Sequence, residues 1–386
     1  MVLLKNEGNL LPLGPNVRRI VMIGSHADKG VLAGSGSSLV FPRGGNAVPG
    51  IEPTTWPGPI MYHPSSPLGA IRALAPNANV TFVDGSDPAA AARAARAADA
   101  AIVFAHQWTG ESIDAPLQLT DNQDALIEAV AATNRHTAVV IESGGPVLMP
   151  WASRVPAILE AWYPGTSGGR AIANVLFGRV NPSGHLPVTF PASESQLPRP
   201  VRPGTGLADK QMFSIDYSEG AAVGYKWFDD RNLKPLFPFG HGLSYTQFEY
   251  GAPTARANPD GSVSVSFTVR NIGNRDGMDV PQIYVGSANG GWEAPKRLGA
   301  FHKVRLARGA SETVTAVIDP RLLAMFDAAA QQWRIAGGPY TITVAESSRD
   351  ARRHITINLP ARSLPSIWRP AQASAAPAPS SAERGR

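Results

Sequence analysis

Residues 101–123 read AIVFAHQWTGESIDAPLQLTDNQ and carry the side chains best placed to do chemistry: Trp108, Glu111 and Asp114. A carboxyl group close to an indole is a candidate general acid, because an apolar neighbour disfavours the ionised form and lifts the pKa toward neutrality. Without that effect Glu111 is an ordinary solvated loop acid, and the loop alone leaves both readings open. Two elements must hold such a loop. The apolar run 100–105 reads as a buried strand. Thr120, followed three residues later by Gln123, has the spacing of a capping box opening a helix over 121–134. In an open α/β sheet, ligands sit at the loops beyond the carboxyl ends of the strands.

Other constellations compete with this one. The strand-like run 18–24 leads into Gly34-Ser-Gly-Ser-Ser38. Its spacing fits neither the dinucleotide fingerprint nor the phosphate-binding loop, so no cofactor is expected. Ser37 and Ser38 either hydrogen-bond a polar ligand or simply make the turn. Ile141-Glu-Ser143-Gly-Gly145 has the outline of a nucleophile elbow but carries Ile where the elbow needs Gly, which favours a strand-end turn. His185 and His241 sit in Gly-rich turns without paired-ligand spacing, so no metal site is expected and His241 reads as a hydrogen-bonded structural residue. Trp108, Trp151, Trp162 and Tyr163 could stack on a ligand's ring or fill cores. Trp108, three residues before Glu111, is the one placed for substrate.

The bulk numbers fit a turn-rich enzyme of two or three domains. The chain has 386 residues, 43% hydrophobic and only 17% charged, with 38 Gly and 35 Pro. A net charge of +5 is scattered, with no basic block, so no nucleic-acid footprint is read. There is no cysteine, which excludes disulfides. No apolar run reaches the 18 residues or so of a membrane span. Residues 1–13 lack the basic start and cleavage site of a signal peptide.

Short apolar runs at 18–24, 80–83, 100–105, 137–142 and 157–161 alternate with helical segments opening at Ser66-Pro67, Asp87-Pro88, Asp121 and Thr166. This pattern predicts an α/β domain over 1–200 with a mostly parallel sheet sandwiched by helices. Residues 201–246 read as a packed linker rich in aromatic residues. Residues 247–362 alternate in short runs at 262–270, 282–285, 312–318 and 340–344, separated by turns, which predicts an all-β sandwich. Residues 363–386, ending in Ala/Ser/Pro low complexity, read as a disordered tail.

Six stretches together resemble glycoside hydrolase family 3, the β-glucosidase and β-xylosidase family, over almost the whole chain apart from the tail. They are VLLKNEGNLLPL at 2–13, GSGSS at 34–38, WYPG at 162–165 with Gly168-Gly169, NPSGHLP at 181–187, VGYKW at 223–227 and PFGHGLSYT at 238–246. The sandwich is similar to that family's fibronectin type III-like domain. The resemblance is to the carboxyl-terminal two domains and begins at the segment that follows the family's amino-terminal barrel. It implies an exo-acting retaining β-glycosidase with two carboxylates. The acid/base is a Glu in a Glu-Gly-x-Asp-Arg pattern, which falls here on Glu111, with Asp114 on the pattern's Asp. This chain has Ser112 for Gly, Ala115 for Arg and Thr120 for a later Pro, and so lacks an ion-pair partner for Asp114. The family's Asp nucleophile comes from the barrel, and its Ser-Asp-Trp-like motif occurs nowhere in these residues. The resemblance therefore implies a β-linked glycoside as substrate and a barrel partner for activity. It implies a periplasmic or secreted setting if the parent follows its family. Without a partner, the loop face with Trp108 is expected to be an exposed apolar patch. A non-catalytic carbohydrate- or protein-binding scaffold stays open as the alternative.

Overall fold

The computed structural model describes residues 1–34, 36–37, 60–61, 65–111, 115–208, 211–350 and 353–367. The apolar runs of the first half become the strands of one sheet: β1 (Val2–Asn6), β2 (Arg19–Ile23), β5 (Asn79–Val83), β6 (Ala100–Gln107), β7 (Thr137–Ser143) and β8 (Ala157–Glu160). Between β2 and β5, β3 (Val31–Ala33) and β4 (Ile60–Met61) form a separate antiparallel pair. The sheet order is β1-β8-β7-β6-β2-β5, parallel throughout except for β1. β6 and β7 are buried along their whole length, as strands covered on both faces must be.

Helices α1 (Pro67–Leu74) and α4 (Gly168–Leu176) cover one face, burying Leu68, Ile71, Ile172 and Leu176. Helices α2 (Pro88–Arg96) and α3 (Gln123–Ala131) cover the other, with Ala91, Ala95, Ile127 and Val130. Helices α1 and α2 start as the sequence signals, each with Pro after a side-chain cap. Ser66 accepts from Gly69 N at 3.2 Å and Asp87 from Ala89 N at 2.8 Å. Residues 1–13 add an element that their sequence did not announce. β1 is the antiparallel edge strand, with Val2, Leu3 and Leu4 buried. Lys5 Nζ then donates to Ala152 O at 2.8 Å, and the Asn6 amide brackets Leu11 through bonds of 2.7 and 2.9 Å.

The second half is a β-sandwich. Strands β9 (Phe248–Tyr250), β10 (Thr254–Ala257) and β11 (Val263–Asn271) join the strand Ser311–Ile318 in one sheet. The facing sheet runs Arg297–Phe301, Gln282–Ser287, Gly338–Ala345, Arg353–Leu359. Alternation does the work: Val263, Val265, Phe267 and Val269 of β11 point into the core against Ile283, Val285, Ile342 and Val344. Arg362–Pro365 adds a further strand that buries Leu364, so regular structure runs past residue 362. Residues 368–386, most of the expected tail, lie outside the described residues.

The connection differs along its length. In 201–223 the apolar side chains of Val201, Met212, Phe213 and Tyr217 are exposed, Met212 at 92%. From α5 (Tyr225–Asp230) onward the chain packs down. Tyr225 stacks on Phe239 and accepts from Leu298 N at 2.7 Å. Buried Asp229 holds Lys296 and Arg349 of the sandwich. His241 donates from Nε2 to Leu4 O at 2.8 Å and stacks on Phe237, the structural part expected of it. No helix among the described residues is long and apolar enough to cross a membrane.

Candidate active site

Strand β6 delivers its loop at Gln107, and Tyr163 fixes the exit. The Tyr163 hydroxyl donates to Gln107 O at 2.6 Å and accepts from Thr109 N at 2.9 Å. Burial pushes that phenol up to about 12, so it stays protonated and able to donate. Trp108, next along, is half-buried rather than an exposed patch. Its indole stacks on His106 at 4.2 Å and meets His26 edge-on at 4.8 Å. Those rings supply the apolar contact that the sequence left without a partner.

Glu111 follows on an exposed ledge. Its Oε2 accepts from Ser37 N at 2.7 Å and from Ser37 Oγ at 2.5 Å. The Gly/Ser loop reaches it only because it is glycine-rich. Gly36 has φ +108°, and a Cβ there would stand 2.4 Å from Glu111 Cβ. A Cβ on Gly34 would stand 2.6 Å from both Thr109 O and the Tyr163 ring. Glu111 and Ser37, expected at one site, are thus in contact. Ser38 and Asp114 lie outside the described residues.

One open reading closes, and one expectation needs correction. Glu111 is not lifted toward neutrality by Trp108. Hydrogen bonds from the Ser37 hydroxyl and amide favour the carboxylate and hold it below its ordinary value of 4.5, while the indole is occupied by the two imidazoles. Nor do Thr120 and Gln123 form a capping box. Asn122 is the N-cap residue of α3, without a side-chain bond. Buried Gln123 instead ties α3 to β6, accepting from His106 N at 2.8 Å and donating to His106 O at 2.9 Å.

The acids lifted by burial are elsewhere. Glu142 on β7 is buried, and neither carboxyl oxygen has a hydrogen-bond partner among the described residues. Desolvation pushes it up to about 8. Glu160 at the end of β8 is also buried and raised well above 4.5, although Oε1 accepts from Trp162 N at 2.8 Å. Ser143 is buried and donates to Gly145 O at 2.7 Å, a strand-end turn rather than a nucleophile elbow. Sequence reasoning passed over Glu142, Glu160 and the Tyr163 clamp. The available signal was a Glu inside each of two otherwise apolar strand runs, TAVVIES and AILE.

The comparisons with known proteins agree with this architecture. The profile of the Glycosyl hydrolase family 3 C-terminal domain matches residues 1–245, and that of the Fibronectin type III-like domain matches 279–348. A beta-glucosidase of Rhizobium radiobacter is 44% identical over 258 residues, 66% of this chain and 31% of that protein. Thermostable beta-glucosidase B of Acetivibrio thermocellus is 35% identical over 368 residues, 91% of this chain and 46% of that protein. Among solved structures, DesR, a beta-glucosidase from Streptomyces venezuelae crystallised with D-glucose, superposes with a TM-score of 0.82 at 31% identity. That likeness covers 93% of this chain and 58% of DesR. The chain therefore spans about half the length, or less, of these curated relatives. With an α/β sheet sandwiched by helices, a fibronectin type III-like sandwich and profile matches to both, the chain belongs to glycosyl hydrolase family 3.

Proposed function

We propose that these residues are the carboxyl-terminal part of a retaining, exo-acting β-glycosidase of the β-glucosidase type, in which Glu111 is the general acid/base. The observation that carries the reading is the docking of Glu111 against Ser37 on an open ledge beyond β6. Family membership supports the reaction class. In the proposed reaction a protonated Glu111 gives its proton to the glycosidic oxygen as the leaving group departs. An Asp from a barrel outside these 386 residues attacks the anomeric carbon and forms the glycosyl-enzyme. Glu111, now a carboxylate, takes a proton from water, which releases the sugar and restores the acid. Trp108 and the serine turn line the approach, with Ser37, Ser38 and Asp114 as substrate contacts.

The alternative, a non-catalytic scaffold, draws support from one feature. The carboxyl group of Glu111 is held below its ordinary value, so at neutral pH the exposed ledge carries no proton to donate. The proposed enzyme therefore needs a barrel partner that covers Glu111, displaces water and restores a donor pKa. The test is hydrolysis of an aryl β-glucoside by the chain alone and with a separately produced family 3 barrel. Turnover only in the mixture, abolished by Glu111→Gln, supports the assignment. Turnover that survives Glu111→Gln removes it.

A further inference from the structure

The parallel strands run outward in two directions from the middle of the sheet. The chain goes from β2 out to β5, then crosses to β6 and continues through β7 to β8. The loops after β2 and β6 therefore part, and a crevice opens between them at the switch point. A cavity of about 580 Å3 occupies that crevice, within the ordinary size range of small-ligand sites. His26 follows β2, Asp84 follows β5, His106 and Trp108 end β6, Asp121 stands at the rim, and Leu126 forms part of the floor. Glu111 does not line it.

Three features mark the cavity as built to receive something. His106 is only 6% exposed, yet neither ring nitrogen has a hydrogen-bond partner among the described residues. Asp121 Oδ2 stands 3.8 Å from its Nε2, too far for a direct bond and close enough for one oxygen atom to bridge them. Burial, with the His26 ring adding, holds the His106 pKa down to about 3, so the imidazole is neutral and offers one donor and one acceptor. The rim is also strained: Asp121 and Asn122 both take left-handed backbone, φ 57° and 58°, without being glycine. Finally, Asp84 is fixed by bonds from Ser86 N and Oγ to Oδ1 at 2.9 and 2.8 Å, which leaves Oδ2 for a ligand.

The chemistry of the walls selects the ligand. Among the described residues no Lys or Arg lines the cavity and two carboxylates do, so an anion meets repulsion from these walls. Phe104 and Leu126 offer apolar surface to a ring, the Trp108 indole being stacked on His106, while the carboxylates and imidazoles offer acceptors and a donor to hydroxyl groups. We infer that this cavity is a second carbohydrate site, taking an uncharged hydroxylated ring of monosaccharide size through Asp84, Asp121 and His106. It is separate from the Glu111 ledge and does not depend on that residue's catalytic role.

The test is calorimetric titration of the full 386-residue chain with D-glucose, glucose 6-phosphate and glucosamine. Saturable glucose binding with a Kd on the order of millimolar is expected, with glucose 6-phosphate weaker. Asp121→Ala, at a residue whose side chain is 74% exposed, weakens glucose binding by about tenfold or more, as the loss of a bond to a charged acceptor implies. His106→Phe keeps the ring packing, removes both nitrogens and weakens binding likewise, with Tm read alongside to confirm folding. Glu111→Gln leaves the affinity within about twofold, although it abolishes turnover under the proposed function. Absence of saturable binding overturns the inference. So does tighter binding of glucosamine or glucose 6-phosphate than of glucose, or loss on Glu111→Gln with Asp121→Ala unaffected.

Discussion

Glu111 lies one loop beyond the end of β6, and Glu142 is the penultimate residue of β7, the next strand over, yet their carboxyl groups are driven in opposite directions. Glu111 is exposed, takes two hydrogen bonds from Ser37 and is held below 4.5. Glu142 is sealed in the sheet without a bond to either oxygen and is pushed up to about 8. Nearness to an aromatic ring does not separate them, since the indole of Trp108 is three residues from Glu111 and spends its faces on histidines. Solvation and hydrogen bonding to the charged form separate them. Under the proposed function, Glu111 therefore acts as a proton donor only through what covers it.

Asp229 sharpens the comparison, because it too is buried. It differs in having Lys296 and Arg349 against it. Burial without a partner raises a carboxyl group, and burial with two cations gives an ion-paired latch between α5 and the sandwich.

The largest expected effect tests the buried end. Below 4.5, the value for an unperturbed carboxyl, Glu142 is protonated in both folded and unfolded chains. Between 4.5 and about 8 the unfolded chain releases this proton while the folded chain keeps it, so stability falls as pH rises and levels off above about 8. The loss attributable to this group is on the order of 5 kcal/mol. Glu160 contributes in the same direction. Urea unfolding of wild type and Glu142→Gln from pH 5 to 8.5 should show a shallower fall for the variant, whatever constant offset the amide introduces. Parallel curves would mean that Glu142 ionises in the folded protein much as it does unfolded. Next in size is Asp229→Ala. It leaves two cations facing each other and should cost about 2–3 kcal/mol, less than a fully buried pair because both cations reach water. Denaturation followed by the loss of sandwich β signal measures it.

Much of this was legible before any coordinates, and the exceptions share a cause. The parallel strands, the two Pro-initiated helices and the alternating β11 follow from local pattern, because burial on both faces or on one face writes itself into sequence period. The contact between Ser37 and Glu111 joins segments 74 residues apart. Both residues were read as belonging to one candidate site without being joined to each other, and their fit rests on the missing Cβ at Gly36. The direction of the Glu111 shift stayed open because sequence neighbours do not tell which ring a carboxylate meets. Trp108 is adjacent in the chain, but His26, 82 residues away by number, takes the contact. Gln123 looked like a cap for the same reason: its amide donates to Thr120 O at the helix start at 3.0 Å, but it also accepts from His106 N and donates to His106 O, which no local pattern announces.

The smaller effects test the exposed end. Gly36→Ala meets both a positive φ and the Glu111 Cβ, so the Gly/Ser loop must withdraw, at about 1–3 kcal/mol. The Glu111 carboxyl should then titrate at its ordinary value by carbon-detected NMR, because both Ser37 donors leave together. Ser37→Ala is the finer cut. It removes the hydroxyl bond, the larger of the two stabilising contacts on the ionised form, and leaves the backbone amide in place. Glu111 should move only part of the way up, and global stability should stay unchanged within error, since the carboxylate is exposed. A Glu111 that moves as far in Ser37→Ala as in Gly36→Ala would assign the whole effect to the hydroxyl. One that does not move at all would mean that solvent, rather than the serine turn, sets its charge, and the contrast with Glu142 would then reduce to burial alone.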